Sequence, residues 1–232
     1  MKILGIIPAR GGSKGILRKN IKLMDNKPLI QYTIEATQNC KLISDFIVNS
    51  EDLEIRSIAT SLGAKTQDRP KEFWYDNSFQ EVDRLLKWSV LEYEKNLGIV
   101  DIVVLLYPTA PLRTSNDISN CIDLIIKEEF DSSLSLREDR TYIWKKKGIS
   151  NEVEPINYDP RKRGPNQLEG WNQWVENKAV YAMKRDLLID TGCRLGGKIG
   201  YSEMSKLNSV DIDIIDDFVL AEHIIKLRKL SK

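Results

Sequence analysis

The chain has 232 residues, 41% of them hydrophobic, and its 35 basic and 34 acidic side chains nearly cancel to a formal charge of +1. This length predicts a single domain over residues 1–232 with a sizeable core. The balanced charge argues against nucleic acid and membrane surfaces as partners, because the chain has no general cationic field to attract them.

The cysteines and the apolar runs indicate a cytoplasmic protein. Cys40, Cys121 and Cys193 are widely spaced, which argues against a disulfide framework or a zinc site and favours a reducing compartment. The apolar run at the start of the chain breaks at Pro8, so it makes a poor signal peptide. The longest internal run, residues 102–107, is far shorter than a membrane span.

Strand and helix patterns alternate along the chain. Residues 2–8 form an apolar run typical of a buried strand, and a helical apolar pattern follows Pro28. The later elements continue this alternation: a strand over 46–48, a helix capped by Asp52 and ending near Gly63, a helix from a capping box at 78–81 to about Asn96, a strand over 101–107, a helix that begins at Thr114 with Asp117, strands over 133–137 and 179–183, and an amphipathic helix over about 216–230. The alternation predicts an α/β fold with a doubly wound, mainly parallel sheet.

The loop after the first strand concentrates positive charge. Five cations and no carboxylate lie between Arg10 and Lys22. Its three glycines let backbone N–H groups approach a ligand closely, and such groups together with lysine and arginine suit phosphate. The loop matches neither the Walker A motif nor the Rossmann fingerprint. Its composition is equally compatible with a phosphate-binding loop and with an ordinary turn that carries solvated lysines.

Two loops are predicted to share one crevice. In open α/β sheets, ligands bind outside the carboxyl ends of the strands. The basic loop follows the first strand, and the sequence PTAPLR at residues 108–113 follows the predicted central strand. We therefore expect both loops to face the same crevice, with Tyr107 at its mouth.

The polar residues indicate chemistry by cations and carboxylates. The one histidine, His223, lies inside the last predicted helix, and no nucleophile motif is present, so covalent catalysis by the protein is disfavoured. Nucleotidyl transfer instead depends on positioning and charge stabilisation. On a strand, Asp211 and Asp213 would present oxygen ligands on one face to a Mg²⁺ ion. An edge strand, or a helix cap at Asp213, would give the same pattern.

Regular patterning is lost over residues 138–176. This stretch holds two basic clusters and three of the five tryptophans: Trp144, Trp171 and Trp174. Exposed aromatic and arginine side chains are typical of interfaces or ligand contacts. We expect an excursion from the main domain here.

Several motifs resemble, in order and spacing, those of the acylneuraminate cytidylyltransferases. They are IPARGGSKG at 7–15, RKN at 18–20, KPLI at 27–30, Arg69-Pro70, PTAPLR at 108–113, GYSEM at 200–204 and SVDID at 209–213. The resemblance covers essentially the whole chain. It implies a fold of the nucleotide-diphospho-sugar transferase type and a reaction of CTP with a 2-keto sugar acid of the sialic acid class, giving a CMP-sugar and pyrophosphate.

The resemblance also implies roles for individual residues. Arg10, Lys14 and Lys19 would be catalytic groups that bind the triphosphate, and Asp211 and Asp213 would hold a Mg²⁺ cofactor. The other nucleotide-binding residues would be Ala9, Gly11, Gly12, Ser13, Asn20, Arg69 and Ser78. The sugar would contact Tyr107, Pro108, Thr109 and Arg113. Relatives pair as homodimers through an excursion, for which residues 138–176 are the candidate.

The chain departs from the family pattern at several positions, among them Ala110, which replaces a serine. Tyr107 replaces a glutamine on the sugar side of the site, although an ordinary packing role for this tyrosine is the alternative. Leu17 replaces a proline, and Lys178 replaces the glycine of the family sequence Asn-Gly-Ala-Ile-Tyr. The resemblance therefore supports CTP activation better than it supports any particular sugar.

Three other functions remain as alternatives. A cytidylyltransferase for an eight-carbon sugar acid ranks lower, because that branch lacks the GGSKG and KN pattern. A GT-A glycosyltransferase also uses a D-x-D sequence, but usually after an early strand. A non-catalytic nucleotide-binding module would bind CTP without turnover.

Overall fold

A seven-stranded sheet lies between two layers of helices in the computed structural model, which describes residues 1–13, 15–74, 81–163 and 171–230. The strands are β1 (Ile3–Pro8), β2 (Leu23–Met24), β3 (Lys27–Pro28), β4 (Asp45–Ser50), β5 (Lys65–Asp68), β6 (Ile102–Leu105), β7 (Ser132–Glu138), β8 (Trp144–Lys146), β9 (Val153–Pro155), β10 (Trp174–Lys184) and β11 (Ile199–Glu203). The helices are α1 (Leu29–Gln38), α2 (Leu53–Ser61), α3 (Glu81–Leu97), α4 (Ser115–Lys127), α5 (Arg185–Thr191) and α6 (Ile215–Leu230). Single 3₁₀ turns occur at Lys19–Ile21, Lys71–Phe73 and Pro160–Lys162.

The strand order is β11-β7-β10-β6-β1-β4-β5. Six of these strands point the same way, and β10 runs antiparallel to both of its neighbours. The predicted α/β fold with a mainly parallel sheet is therefore confirmed. In the described part of the chain, no helix combines the length and the apolar character needed to cross a membrane.

The central strands are apolar on both faces because helices cover both sides of the sheet. Alternate residues of β1 enter two different cores: Ile3 and Ile7 pack with α1, α2 and α4, whereas Leu4 and Ile6 pack with α3 and α5. This alternation of side chains follows from the pleat of a strand. The continuous apolar runs of the sequence are thus the signature of a strand buried on both faces.

Two helices begin at the residues that the sequence predicts, because capping side chains are present there. The Asp52 carboxylate accepts hydrogen bonds from the N–H groups of Glu54 and Ile55 at the start of α2. Thr114 and Asp117 form a reciprocal capping box at the start of α4. These side chains satisfy N–H groups that have no partner within the first turn of a helix.

The predicted strand over 101–107 is too long. The ladder of β6 ends at Leu105, and Tyr107 lies in the following loop. The prolines at 108 and 111 lack the N–H donors that would continue the pairing. Tyr107 therefore follows the central strand instead of ending it.

Between β7 and β10 the chain leaves the main sheet and forms the small hairpin β8–β9. Aromatic rings cluster beside the hairpin, with ring centroids 4.5 Å apart for Tyr142 and Tyr158 and 5.0 Å apart for Tyr142 and Trp171. The hairpin lies within residues 138–176, where the sequence predicts an excursion. Its part in dimerisation stays a prediction.

A third core fixes the loops at the carboxyl edge of the sheet. Ile16 from the basic loop, Leu112 from the loop after β6 and Ile212 from the loop before α6 are all buried in one cluster with Phe218 of α6. Burial of apolar side chains provides most of the stabilisation in such a cluster. Because these loops share one core, their polar residues are held close together.

Candidate active site

A cavity of about 400 Å³ opens at the carboxyl edge of the sheet. It is the place where a ligand is expected in an open α/β sheet. Its lining combines cations, carboxylates and a few apolar side chains: Pro8, Arg10, Ser13, Gly15, Lys19, Asn20, Arg69, Glu81, Val82, Leu85, Tyr107, Pro108, Thr109, Lys178, Asp211 and Asp213.

Hydrogen bonds that involve main-chain groups hold the start of the basic loop against the rest of the protein. Asn20 is buried and its amide donates to the carbonyl oxygen of Arg10 at 2.9 Å. The N–H of Gly11 donates to Glu51 Oε1 at 2.7 Å, and the N–H of Ala9 donates to the carbonyl oxygen of Asn49 at 2.9 Å. These contacts fix the start of the loop and leave the Arg10 side chain at the cavity.

The cations of this loop have different surroundings. Arg10 lies 3.9 Å from Glu81 and lines the cavity. Arg18 pairs instead with Asp52 and Glu54 on α2. Lys19 is half-buried, and its ammonium donates to the Ile212 carbonyl oxygen at 2.5 Å. Burial lowers the pKa of Lys19, although the nearby carboxylates of Asp213 and Asp211 oppose the shift.

Arg69 supplies a third cation at the cavity wall. Its side chain is buried, and its Nε donates to Asn49 Oδ1 at 2.8 Å. Burial lowers its pKa, and the charge of Glu51, 3.9 Å away, works in the opposite direction. An arginine oriented in this way is a fixed positive group because its guanidinium stays protonated.

The carboxylates Asp211 and Asp213 lie in the loop before α6, so the prediction that they stand on a strand is wrong. Between them, Ile212 is buried, and its N–H donates to the Thr109 carbonyl oxygen at 2.8 Å. Because the chain is pinned by this inward residue, its two neighbours both reach the cavity. The two carboxylates therefore both line the cavity, and the loop that carries them is anchored in the third core.

Lys178 is the site residue that the sequence patterns did not assign. It lies in an irregular part of β10 with a left-handed backbone, at a φ of 54°. Its ammonium is 2.7 Å from Asp211 Oδ2 and 3.3 Å from Asp213 Oδ2. Burial opposes its charge, but the hydrogen bond and attraction of Asp211 and Asp213 raise its pKa. The only sequence signal was the replacement of the family glycine.

The carboxylate pair has the donor chemistry of a Mg²⁺ site. Asp211 Oδ1 is buried and accepts no hydrogen bond from the described residues. Mg²⁺ commonly uses one or two carboxylates and completes its shell with water and substrate phosphate. In the described ranges no cluster of three or more acidic, histidine or cysteine side chains forms a metal cage. The residues present thus fit a metal ion that takes carboxylate ligands from the protein and its remaining ligands from water and a nucleotide phosphate.

A second polar cluster, also missed by the sequence patterns, borders the cavity at Tyr107. The Arg194 guanidinium lies 3.1 Å from Asp83 and 3.4 Å from the Tyr107 hydroxyl. It also covers the ring of Tyr181, at 5.0 Å from the ring centroid. Burial raises the pKa of Tyr107. Tyr107 therefore lines the cavity while its hydroxyl lies near the charged side chain of Arg194.

Some predicted site residues are not brought to the cavity. Arg113 is buried and donates to the carbonyl oxygens of Tyr107 and Ala179 and to the hydroxyl of Thr33. Ala9 lies in the main core, and neither Gly11 nor Gly12 lines the cavity. Lys14 and Ser78 lie outside the described residues. Ser13, Asn20, Pro108 and Thr109 do line the cavity together with the charged residues described above.

Comparison with known proteins gives several enzymes that are named for the formation of CMP-sugars or for cytidylyl transfer. N-acylneuraminate cytidylyltransferase A of Danio rerio is 33% identical over 222 residues, which cover 95% of this chain and 50% of that protein. CMP-N,N'-diacetyllegionaminic acid synthase of Campylobacter jejuni is 27% identical over an alignment of 251 residues that covers 99% of this chain and 97% of that protein. The chain spans about half the length of the N-acylneuraminate cytidylyltransferases of Danio rerio and Oncorhynchus mykiss.

A solved structure and a family profile agree with these relatives. A CMP:2-keto-3-deoxy-manno-octonic acid synthetase complexed with CTP superposes with a TM-score of 0.69 at 16% identity, covering 98% of this chain and 100% of that one. At this identity the likeness concerns the fold. Residues 4–163 match the profile of the family described as Cytidylyltransferase. The chain belongs to the cytidylyltransferase family.

Proposed function

We propose that this protein transfers CMP from CTP to a nonulosonic sugar acid of the sialic acid class. The observation that carries the proposal is the cavity itself, which the cations Arg10 and Lys19 line together with the carboxylates Asp211 and Asp213. Cations suit a triphosphate, and two carboxylates suit the metal that accompanies it. The relatives named above support the sugar class.

The geometry supports a division of the cavity into a nucleotide side and a sugar side. Arg10 and Lys19 of the basic loop, together with Arg69 after β5, offer positive charge and hydrogen-bond donors on one side of the cavity. Tyr107 and Thr109 lie on the loop after β6 and offer a hydroxyl each, one on a large apolar ring. We assign the phosphates to the first group and the sugar to the second.

The reaction exchanges one phosphate bond for another. The anomeric oxygen of the sugar forms a bond to the α-phosphorus of CTP, the bond from that phosphorus to the bridging oxygen breaks, and pyrophosphate leaves. The hydroxyl proton is lost to solvent. We assign to Arg10 and Lys19 the stabilisation of the charge that develops on the phosphate oxygens. When held by Asp211 and Asp213, Mg²⁺ would act as a Lewis acid and add to this stabilisation.

Two further properties belong to the proposal. The protein acts as a homodimer that pairs through residues 138–176, where Trp144 and Val153 of the hairpin β8–β9 are exposed. It works in the cytoplasm, because Cys40, Cys121 and Cys193 are all free and two of them are buried as reduced thiols.

A screen for pyrophosphate release tests the function. The purified protein is given Mg²⁺ and each of the four nucleoside triphosphates, with and without a panel of nine-carbon and eight-carbon ulosonic acids. We expect release that requires both CTP and a nine-carbon acid. Release with an eight-carbon acid alone would move the assignment to that branch, and CTP binding without turnover would indicate a non-catalytic module.

A further inference from the structure

The Lys178 ammonium contacts Asp211 and Asp213, the two carboxylates that would hold the metal ion. The ammonium contacts one oxygen of each carboxylate, at 2.7 Å and 3.3 Å. The other Asp211 oxygen, Oδ1, is buried and has no hydrogen-bond partner among the described residues. The Lys178 ammonium therefore contacts both carboxylates but does not donate a hydrogen bond to every carboxylate oxygen.

The position of Lys178 is built into the fold. Its neighbour Asn177 is buried and accepts a hydrogen bond from Ser135 at 2.6 Å. The Asn177 amide donates to Ser209 Oγ at 3.0 Å, at the start of the segment that carries Asp211. The irregular part of β10 is thus fastened to the same loop that presents the carboxylates.

The backbone at Lys178 shows that a charged side chain is held there against a conformational cost. A φ of 54° is left-handed, which glycine adopts freely and other residues adopt at a cost of about 1 kcal/mol or more. The backbone at Lys178 is therefore strained, whereas it would not be strained with glycine at this position.

The charges around the carboxylates are balanced before any ligand arrives. Asp211 and Asp213 carry two negative charges, and Lys178 and Lys19 carry two positive charges, with Lys19 at 3.9 Å from Asp213. A divalent ion gains little from a neutral site and is repelled by an ammonium within a few ångströms. A triphosphate changes this balance because it brings additional negative charge.

We propose that Lys178 is a tethered counter-cation that competes with the divalent metal for Asp211 and Asp213, so that the metal binds weakly to the free protein and enters together with the nucleotide. The proposal rests on the metal assignment in the proposed function. It adds a positioning residue that sets the order in which metal and nucleotide bind.

Manganese binding without nucleotide tests the proposal. Free Mn²⁺ is measured by electron paramagnetic resonance during titration of the parent, Lys178→Gly, Lys178→Arg and Lys127→Met. Lys127 is a matched control, because it forms a 2.8 Å ion pair with Asp123 on the exposed surface of α4. We expect Lys178→Gly to bind Mn²⁺ roughly tenfold or more tightly than the parent, and the other two variants to bind like the parent.

The contrary result is equally plain. If Lys178→Gly binds Mn²⁺ within twofold of the parent, or does not bind it at all, the competition does not exist and the proposal is wrong. Gain of binding that persists when Asp211→Asn and Asp213→Asn are both added to Lys178→Gly would place the metal elsewhere and would also overturn it. The titration contains neither CTP nor sugar, so tight Mn²⁺ binding combined with no turnover would refute the proposed function alone.

Glycine at position 178 keeps the experiment interpretable. Because glycine accepts the left-handed backbone, the relief of strain offsets part of the loss of the ion pairs with Asp211 and Asp213, and we expect Lys178→Gly to remain folded in a thermal melt.

Discussion

Two arginines show that charge alone does not identify a ligand-binding residue. Arg69 lines the cavity while it is anchored to Asn49. Arg113 has the same charge and a similar burial, but its hydrogen bonds join α1, the loop after β6 and β10. The sequence motif PTAPLR predicted Arg113 as a sugar ligand. In the structure, Arg113 instead holds in place the loop that carries Tyr107 and Thr109.

Tyr107 is expected to set the choice of sugar. Its ring borders the cavity, stands edge-on to Tyr181 at 6.2 Å between centroids, and places its hydroxyl near Arg194. Replacement by glutamine exchanges a large apolar face for two donors and an acceptor. We expect Tyr107→Gln to raise kcat/KM for N-acetylneuraminic acid, relative to the native substrate, by roughly tenfold or more, with the CTP requirement unchanged.

Tyr107→Phe is the matched variant for this measurement. It keeps the ring and removes only the hydroxyl, so it separates recognition by the polar group from packing. If the parent already prefers N-acetylneuraminic acid and Tyr107→Gln leaves the ranking of sugars unchanged, Tyr107 is a packing residue.

At the scale of secondary-structure elements, the sequence predicts best where side chains alone decide the structure. The strand β1 and the helices α2 and α4 are marked by apolar runs and capping residues, which act locally. The segment 209–213 alternates in the same way as a strand, but Ile212 is buried in the core of α6 and has no strand partner. The alternation of apolar and polar residues does not show whether the backbone pairs with another strand.

The residues that the sequence missed belong to long-range pairs. Arg194 meets Asp83 from a different part of the chain, and Lys178 meets Asp211 through an irregular strand. A left-handed backbone at a lysine has no composition signal. Only a comparison with the family glycine indicated that position 178 is unusual.

The basic loop predicts a sharp difference between two of its glycines. A Cβ added at Gly15 would clash with the main-chain oxygen of Asp213, whereas a Cβ added at Gly12 would meet nothing within 4 Å. We expect Gly15→Ala to displace the loop from the carboxylates and to lower kcat/KM by on the order of a hundredfold. Gly12→Ala retains its N–H and should stay near the parent.

Melting temperatures accompany this comparison. Both glycines are on the surface, so both variants should remain folded. Equal activity of the two variants would mean that contact between the loop and Asp213 is not needed for turnover.

At the scale of the whole molecule, the excursion predicts a dimer. Hairpin β8–β9 leaves the main sheet and exposes Trp144, Val153 and Ile156. Aromatic and apolar side chains of this kind form the centres of protein interfaces. We expect sedimentation at micromolar concentration to give a dimer, which Val153→Asp converts to a monomer.

Ile99→Asp is the control for the dimer, because Ile99 is more exposed than Val153 and lies away from the excursion. It should sediment like the parent. A monomeric parent would remove the dimer from the account, and a dimer that survives Val153→Asp but not Ile99→Asp would place the interface at the other end of the molecule.

The central claim is that the sugar oxygen attacks the α-phosphorus of CTP. The direct measurement uses the ulosonic acid that supports pyrophosphate release, labelled with ¹⁸O in its anomeric hydroxyl, and mass spectrometry of the products. The account predicts that the label appears in a CMP-sugar formed in equal amount to unlabelled pyrophosphate. Free CMP and an unchanged labelled sugar would show that water is the acceptor, and would contradict it.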